Sequence, residues 1–254
     1  MTNEVTTEIR DRVMIITLNR PDAMNAVNLE LAELLAASLD ELDQNKEVSV
    51  GVLTGAGRGF CAGMDLKEFV SKGMPMVGDR GFGGITERAS KKPIIAAVEG
   101  FALAGGLELA LSTDLIVAAK GAKFGIPEVT VGLFAAAGAL LRLPRVLPYG
   151  RAMKMALTGA PITAEEAHEL GMVAEIAEKG EALNAAIELA QKISKNAPLG
   201  LMASKEILCE MQGRTEEEFW EYQKAQVELV FNSEDGKEGA TAFAEKRAPN
   251  WKSC

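Results

Sequence analysis

A single histidine, His168, stands among 254 residues. The three cysteines, Cys61, Cys209 and Cys254, are too few and too scattered for a disulfide framework. No metal-ligand constellation can be read from so few soft ligands, and His168 falls on a polar helical pattern, as a surface residue does. Positive charge is scarce too. Lys and Arg number 27 against 36 Asp and Glu, a net charge of −9. No global basic field favours nucleic acid or an anionic membrane, so an acidic ligand must find local cations. No run of about 18 apolar residues predicts a membrane span. The opening MTNEVTTEIRDR lacks the apolar stretch of a secretory leader. These absences point to a cytoplasmic protein with neither nucleic acid nor membrane as partner.

What is present suits a sizeable core: hydrophobic residues make up 48% and charged residues 25%. The length fits one large domain or a domain with an appendage. Val13–Leu18 reads as a short buried strand, and Asn19 to Asp22 as a turn fixed by Pro21. From Asn28, a helix N-cap, apolar residues Ala32, Leu35, Leu39 and Leu42 recur at helical spacing. Residues 48–54 form the next strand. The Gly55-x-Gly57 that follows is a poor dinucleotide fingerprint, since Phe60 stands in place of the third glycine and no clear helix opens there. It reads instead as a loop that must approach something closely, ending at Ala62-Gly63-Met64. Residues 71–84 hold five glycines and one proline and form a long loop, followed by a helical stretch up to Ser90. Beyond residue 138 the pattern is mainly helical. Pro144 ends or kinks one helix, Thr163-x-x-Glu166 caps another, and residues 173–176 make a short strand. Helices then cover 181–194, 198–211, a segment from Thr215, and a last one from Asp235. The class is α/β with a helical C-terminal region.

The chain is organised around residues 93–135. A buried strand, Ile94–Val98, runs into a turn with Gly100, Gly105 and Gly106. That turn opens a short apolar helix carrying Glu108. A second strand, Leu115–Ala119, leads to a loop with Glu128 directly after Pro127. Two carboxylates on glycine-dense, uncharged ground are costly unless hydrogen-bonded or used. On residues alone, a helix acid facing solvent and a surface-loop acid weigh about as much as a catalytic pair. A catalytic pair divides acid and base work if its surroundings push the two pKa values apart. Glycine-rich turns at helix starts also expose N–H groups able to hold an oxyanion.

At these residues the sequence resembles the crotonase (enoyl-CoA hydratase/isomerase) superfamily. FCAGMDLKEF is similar to the family's first oxyanion-hole motif. KPIIAAVEGFALAGGLELALSTDLIVA is similar to its central motif, AKFGIPEVTVGL to its second-acid motif, and KEGATAFAEKRAPNWK to its terminal helix. The resemblance runs from Val13 to Lys252. It implies a spiral of ββα units over residues 1–195, and a helical trimerisation region over 196–254. A homotrimer or dimer of trimers would act on an acyl-CoA thioester, without a metal or a separate cofactor. The N–H groups of Met64 and Gly105 would form the oxyanion hole. Glu108 would activate water, and Glu128 would protonate C2 of the enoyl group. CoA and substrate contacts would come from Asp22, Ala23, Ala62, Asp65, Leu66, Lys67, Ala136, Phe243 and Lys246, the last two reaching the nucleotide from a neighbouring subunit.

Two departures bear on the substrate. The family hydratases carry a Pro-Gly-Ala-Gly-Gly-like segment after the second acid, where this chain has Phe134-Ala135-Ala136-Ala137-Gly138. Many relatives have Lys where Asp22 stands. A weaker likeness, in residues 81–84 and 140–148, is to the branch that includes carnitinyl-CoA dehydratase. Keeping both acids favours hydration or dehydration. A double-bond isomerase working through Glu128 and an acyl-CoA-binding paralogue without turnover are the alternatives.

Overall fold

A computed structural model describes residues 3–252. Strands β1 (Val5–Arg10) and β2 (Val13–Leu18) form an antiparallel pair. Helix α1 (Leu29–Gln44) follows, and the Asn28 side chain accepts the Leu31 N–H as its cap. Then come β3 (Val50–Gly55), α2 (Leu66–Lys72), and the two-residue strands β4 (Met76–Val77) and β5 (Gly81–Phe82). The centre contains β6 (Ile94–Val98), β7 (Phe101–Leu103), α3 (Gly105–Leu111), β8 (Leu115–Ala119), β9 (Lys123–Gly125) and a 3-10 turn, Pro127–Val131. The remainder is α4 (Ala139–Val146), α5 (Tyr149–Thr158), β10 (Ile162–Thr163), α6 (Ala164–Glu169), β11 (Glu175–Ala177), α7 (Ala182–Ser194), α8 (Pro198–Glu210), α9 (Glu216–Phe231) and α10 (Glu234–Glu245).

The chain climbs as a spiral. Each turn lays one strand into a long sheet, ordered β1-β2-β3-β6-β8-β11 and parallel from β2 onward. It then lays a shorter piece into a second layer. There Cys61 bridges to Ala102, Ala102 pairs with Phe124, and Phe124 with Ile162. From β2 to β8 the long sheet is buried on both faces, so these strands read as continuous apolar runs rather than alternating ones. Met14, Ile16, Leu18, Leu53 and Ala96 face the main core with Leu31, Leu35 and Leu39 of α1. Val13, Ile15, Val52, Ile95 and Val117 face the other way, against Ala186, Ile187 and Ala190 of α7. Glu99 ties the turn after β6 to this helix: its carboxylate accepts the N–H groups of Gly180 and Ala182 at the start of α7.

The last three helices bury little: Pro198 and Ala203 in α8, none in α9, Asp235 and Ala242 in α10. Helix α8 is pinned to the sheet by Lys205, whose ammonium donates to Asp114 (2.8 Å) and to the Lys92 carbonyl. Asp114 in turn accepts the Ile94 N–H, at the start of the central strand.

Several local readings change. A helix does open after the 55–63 loop: Asp65 caps α2 by accepting the N–H groups of Lys67 and Glu68. The stretch before Ser90 is not helical; turns and bends occupy it, ordered by Arg88 on Asp40 and Asp79 and by Asp43 on the N–H groups of Lys91 and Lys92. Pro144 lies inside α4, within its closing turn, rather than breaking it. The final helix starts two residues earlier than Asp235, from Ser233, whose hydroxyl accepts the Gly236 N–H. His168 is exposed on α6, as expected. Cys61 is buried and Cys209 exposed, both as free thiols; Cys254 lies outside the described residues.

Candidate active site

The site begins with backbone geometry. Strand β7 must turn into α3 within one residue, and that residue, Ala104, takes φ 50° and ψ −130°. This conformation costs an L-residue about 1–3 kcal/mol unless its surroundings fix it. Here they do: its N–H donates to the Gly125 carbonyl of β9, and its carbonyl accepts from Leu107 and Glu108. The turn leaves the Gly105 N–H at the helix start without an acceptor among the described residues. Opposite it, Gly63 takes φ 108°, and a Cβ there would sit 2.7 Å from Ala104 Cβ and 3.1 Å from Gly105 N. The next N–H, of Met64, also has no acceptor among the described residues, since the Val27 bridge engages only its neighbours Gly63 and Asp65. Two unpaired N–H groups thus lie side by side where two loops meet.

Those loops are braced from behind. Asn25, fully buried, donates to the carbonyls of Ala56, Gly59 and Phe60 and accepts the Arg20 N–H. Arg20 pairs with Asp65 (3.1 Å) and Glu4 (3.0 Å). The Ala62 N–H donates to the Met24 carbonyl. The turn carrying Asp22 and Ala23 is therefore stitched to the loop carrying Ala62 and Met64. Asn25 and Arg20 were not singled out in the sequence; an Asn beside a Pro-Asp turn has no pattern that announces three long-range carbonyl contacts.

Glu108 projects from α3 and is 3% exposed, which excludes the solvent-facing alternative. One of its oxygens accepts the N–H groups of Ala137 (2.7 Å) and Ala139 (3.1 Å). Burial raises its pKa to about 7; those two N–H groups and the Arg142 charge oppose the rise, and the Glu128 charge adds to it. Glu128, in the 3-10 turn, is half-buried, and burial raises its pKa as well. Its Oε2 is buried without a hydrogen-bond partner among the described residues. An ionised carboxylate is favoured where N–H donors meet it and disfavoured where none do. Both carboxyls are thus held above the ordinary carboxylate range, and at Glu108 two N–H donors and the Arg142 charge favour the ionised form.

The wall behind Glu108 is the 134–139 segment. The N–H groups that serve it belong to Ala137 and Ala139, while Ala136 lines the cavity from an exposed position. Arg142 holds this loop, donating to the Ala137 carbonyl (3.4 Å) and the Thr86 carbonyl (2.6 Å). It too escaped the sequence reading, because an Arg four residues after a glycine on an amphipathic helix looks like any surface cation.

Both carboxylates and both N–H groups open on one cavity of about 410 Å³. Of the residues expected in the site, Ala62, Met64, Leu66, Gly105, Glu108, Glu128 and Ala136 line it. Asp65 and Lys67 stand just behind its rim on α2, the Asp65 carboxylate engaged by Arg20 and by the helix N–H groups. Lys67 is exposed and forms no ion pair among the described residues. Phe243 and Lys246, at the end of α10, do not line this cavity; Phe243 is 87% exposed and Lys246 closes the helix in a left-handed conformation. No cluster of three or more His, Cys, Asp or Glu able to hold a metal occurs among the described residues, nor any helix long and apolar enough to cross a membrane.

Residues 8–254 match the family described as enoyl-CoA hydratase/isomerase. An enoyl-CoA hydratase, EchA1, of Mycobacterium marinum superposes with a TM-score of 0.97 at 54% identity, over 99% of this chain and 100% of that one. Enoyl-CoA hydratase EchA19 of Mycobacterium tuberculosis is 41% identical over 96% of this chain and 94% of its own. A carnitinyl-CoA dehydratase of Salmonella typhi is 40% identical over 94% and 95%. The spiral fold, the helical C-terminal region and the extent of these matches agree: the chain belongs to the enoyl-CoA hydratase/isomerase family.

Proposed function

We propose that the protein is a hydro-lyase that adds water reversibly across the 2,3 double bond of a 2-enoyl-CoA thioester. The observation that carries this reading is the pair of carboxylates, Glu108 buried and Glu128 half-buried, facing one cavity beside two N–H groups without acceptors among the described residues. The thioester oxygen accepts from Met64 N–H and Gly105 N–H. A water between the carboxylates gives a proton to ionised Glu108 as its oxygen bonds to C3. The electron pair of the double bond moves toward the thioester, and the enolate charge gathers on the oxygen held by the two N–H groups. Glu128 then delivers its proton to C2. The product is a 3-hydroxyacyl-CoA, and Glu108 passes its proton back to the pair or to solvent. The N–H groups gain most strength as the charge develops, so they lower the barrier rather than merely bind substrate. Written this way, the reaction calls for no metal and no redox cofactor.

Binding of the nucleotide is assigned to the Asp22–Ala23 turn, to Lys67, and to Phe243 and Lys246 supplied by a neighbouring copy. The assembly is a trimer or dimer of trimers, formed through the helices after residue 195. That reading is supported by the exposed Leu208, Trp220, Leu229 and Phe231 on α8 and α9.

The test follows the ultraviolet absorbance of the enoyl thioester, with crotonyl-CoA and a long-chain 2-enoyl-CoA. Wild type should consume both. Glu108→Gln and Glu128→Gln should each lower the rate by about 100-fold or more. If Glu108→Gln keeps 3-enoyl to 2-enoyl isomerisation in a protein that never hydrates, the isomerase reading replaces this one. Tight thioester binding without turnover in any variant would mark a binding protein.

A further inference from the structure

The inference concerns the acyl group, and it rests on the hydratase reading above. Apart from Glu108 and Glu128, the cavity wall presents one polar side chain, Thr130. Its hydroxyl already donates to the Pro127 carbonyl (2.7 Å). The rest is carbon or thioether: Leu66, Phe69, Met74, Phe82, Leu133 and Phe134 give the wall its bulk. No Lys, Arg or His lines it. The cation nearest the carboxylates, Arg142, lies behind the Ala137 loop with two branches on backbone carbonyls.

The rim has a second property. Leu66, Met74, Leu133 and Phe134 are between 36% and 65% exposed. They come from two separate segments, α2 with its following loop and the stretch after the 3-10 turn. Apolar side chains gathered from two segments around one opening are stabilised only when something apolar covers them.

We infer that this site selects 2-enoyl thioesters whose acyl chain is apolar to its end, and rejects those ending in a charge. An anionic terminus would meet two carboxylates and no cation, losing its hydration without compensation. A cationic terminus would find only the glutamates as counter-ions, and pairing with Glu108 would quench the charge that activates water. An apolar chain meets neither penalty and draws Leu66, Met74, Leu133 and Phe134 over itself. Similarity does not decide the matter, since relatives at comparable identity are named for acyl groups of different charge: 2,3-dehydroadipyl-CoA hydratase of Escherichia coli at 37% and carnitinyl-CoA dehydratase of Salmonella typhi at 40%.

The experiment compares kcat/KM of wild type on saturated-tail 2-enoyl-CoAs of increasing length, on 2,3-dehydroadipyl-CoA and on crotonobetainyl-CoA. Expected is a rise of about fourfold per added methylene until the cavity is filled, with both charged substrates at least about 100-fold below an apolar one of equal length. A charged substrate equal to or better than its apolar counterpart overturns the inference while leaving the hydratase reading intact. So does a flat response to chain length. Absence of turnover on every thioester would instead remove the hydratase reading on which the inference rests.

Discussion

Glu108 carries opposing demands. With its pKa raised from 4.5 to about 7, the folded protein holds the acid form more tightly than the unfolded chain does. The stability associated with that proton is complete below pH 4.5, declines as pH rises toward 7, and is absent above it. Above pH 7 the fold therefore bears a burial penalty of up to about 3 kcal/mol at this one residue. Glu108→Gln keeps an oxygen for the Ala137 and Ala139 N–H groups and removes the charge. It should lower hydration by about 100-fold or more yet raise stability at pH 8–9, the gain vanishing near pH 4.5; denaturant unfolding at the two pH values checks this. In wild type the same titration sets the acid limb of activity: kcat should fall as pH drops below about 7, a limb that belongs to the coupled pair. Arg142 tunes that limb. Its charge opposes the upward shift of Glu108, to which the Glu128 charge adds. Arg142→Met should move the acid limb to higher pH and lower kcat with little change in KM, and Arg142→Lys should restore the limb in part. An unmoved limb would leave Arg142 with packing alone.

At the scale of elements, the junction of β7 and α3 is where the fold prepares the site. Gly106 sits so close to the 55–63 loop that a Cβ on it would lie 2.2 Å from the Cys61 carbonyl oxygen. Gly106→Ala must push that loop, and Met64 with it, away from Gly105. The expected loss is about 2–4 kcal/mol of stability, with a fall in kcat beyond it at temperatures where the variant is fully folded. Ala104→Gly tests the opposite case. It relieves a strained φ worth about 1–3 kcal/mol but loosens the unfolded chain by about 0.4–1 kcal/mol, so thermal unfolding should show no destabilisation. This junction was legible in the sequence because Gly105 and Gly106 follow a buried strand and precede an acid in an apolar run. The strands Ile94–Val98 and Leu115–Ala119 were legible to the residue for the same reason: two buried faces leave a run with no polar interruption. β1 was not. It is VTTEIR with only Val5 buried, an edge strand held by pairing with β2 rather than by an apolar pattern of its own. Nor was α2, whose start is set by the long-range hold of Arg20 on its cap, Asp65. Contacts between distant segments fixed what local pattern did not.

At the scale of the molecule, apolar side chains are exposed on two helix pairs besides the cavity rim. Leu208, Trp220, Leu229 and Phe231 are exposed on α8 and α9, and Leu140, Leu141, Tyr149 and Leu157 on α4 and α5. Two different apolar faces suit a head-to-tail contact, which closes into a ring rather than a two-fold dimer. Light scattering should give a particle three or six times 27.0 kDa; a monomer at micromolar concentration would sink the arrangement. Assembly also bears on the substrate. Phe243 and Lys246 lie away from the cavity of their own chain, so their assigned role requires that they reach a neighbour's nucleotide. The role proposed for them is contact with the nucleotide of CoA. Lys246→Ala should therefore raise KM for crotonyl-CoA by about three- to tenfold, the range of one exposed charge-assisted contact, and salt should narrow the gap. The same variant assayed with crotonyl-pantetheine, which has no nucleotide, should match wild type in both KM and kcat. An equal defect on the two thioesters would mean that Lys246 supports the end of α10 and not the ligand. The unequal defect is expected because the lysine is exposed and forms no ion pair among the described residues, which leaves its charge available for a phosphate.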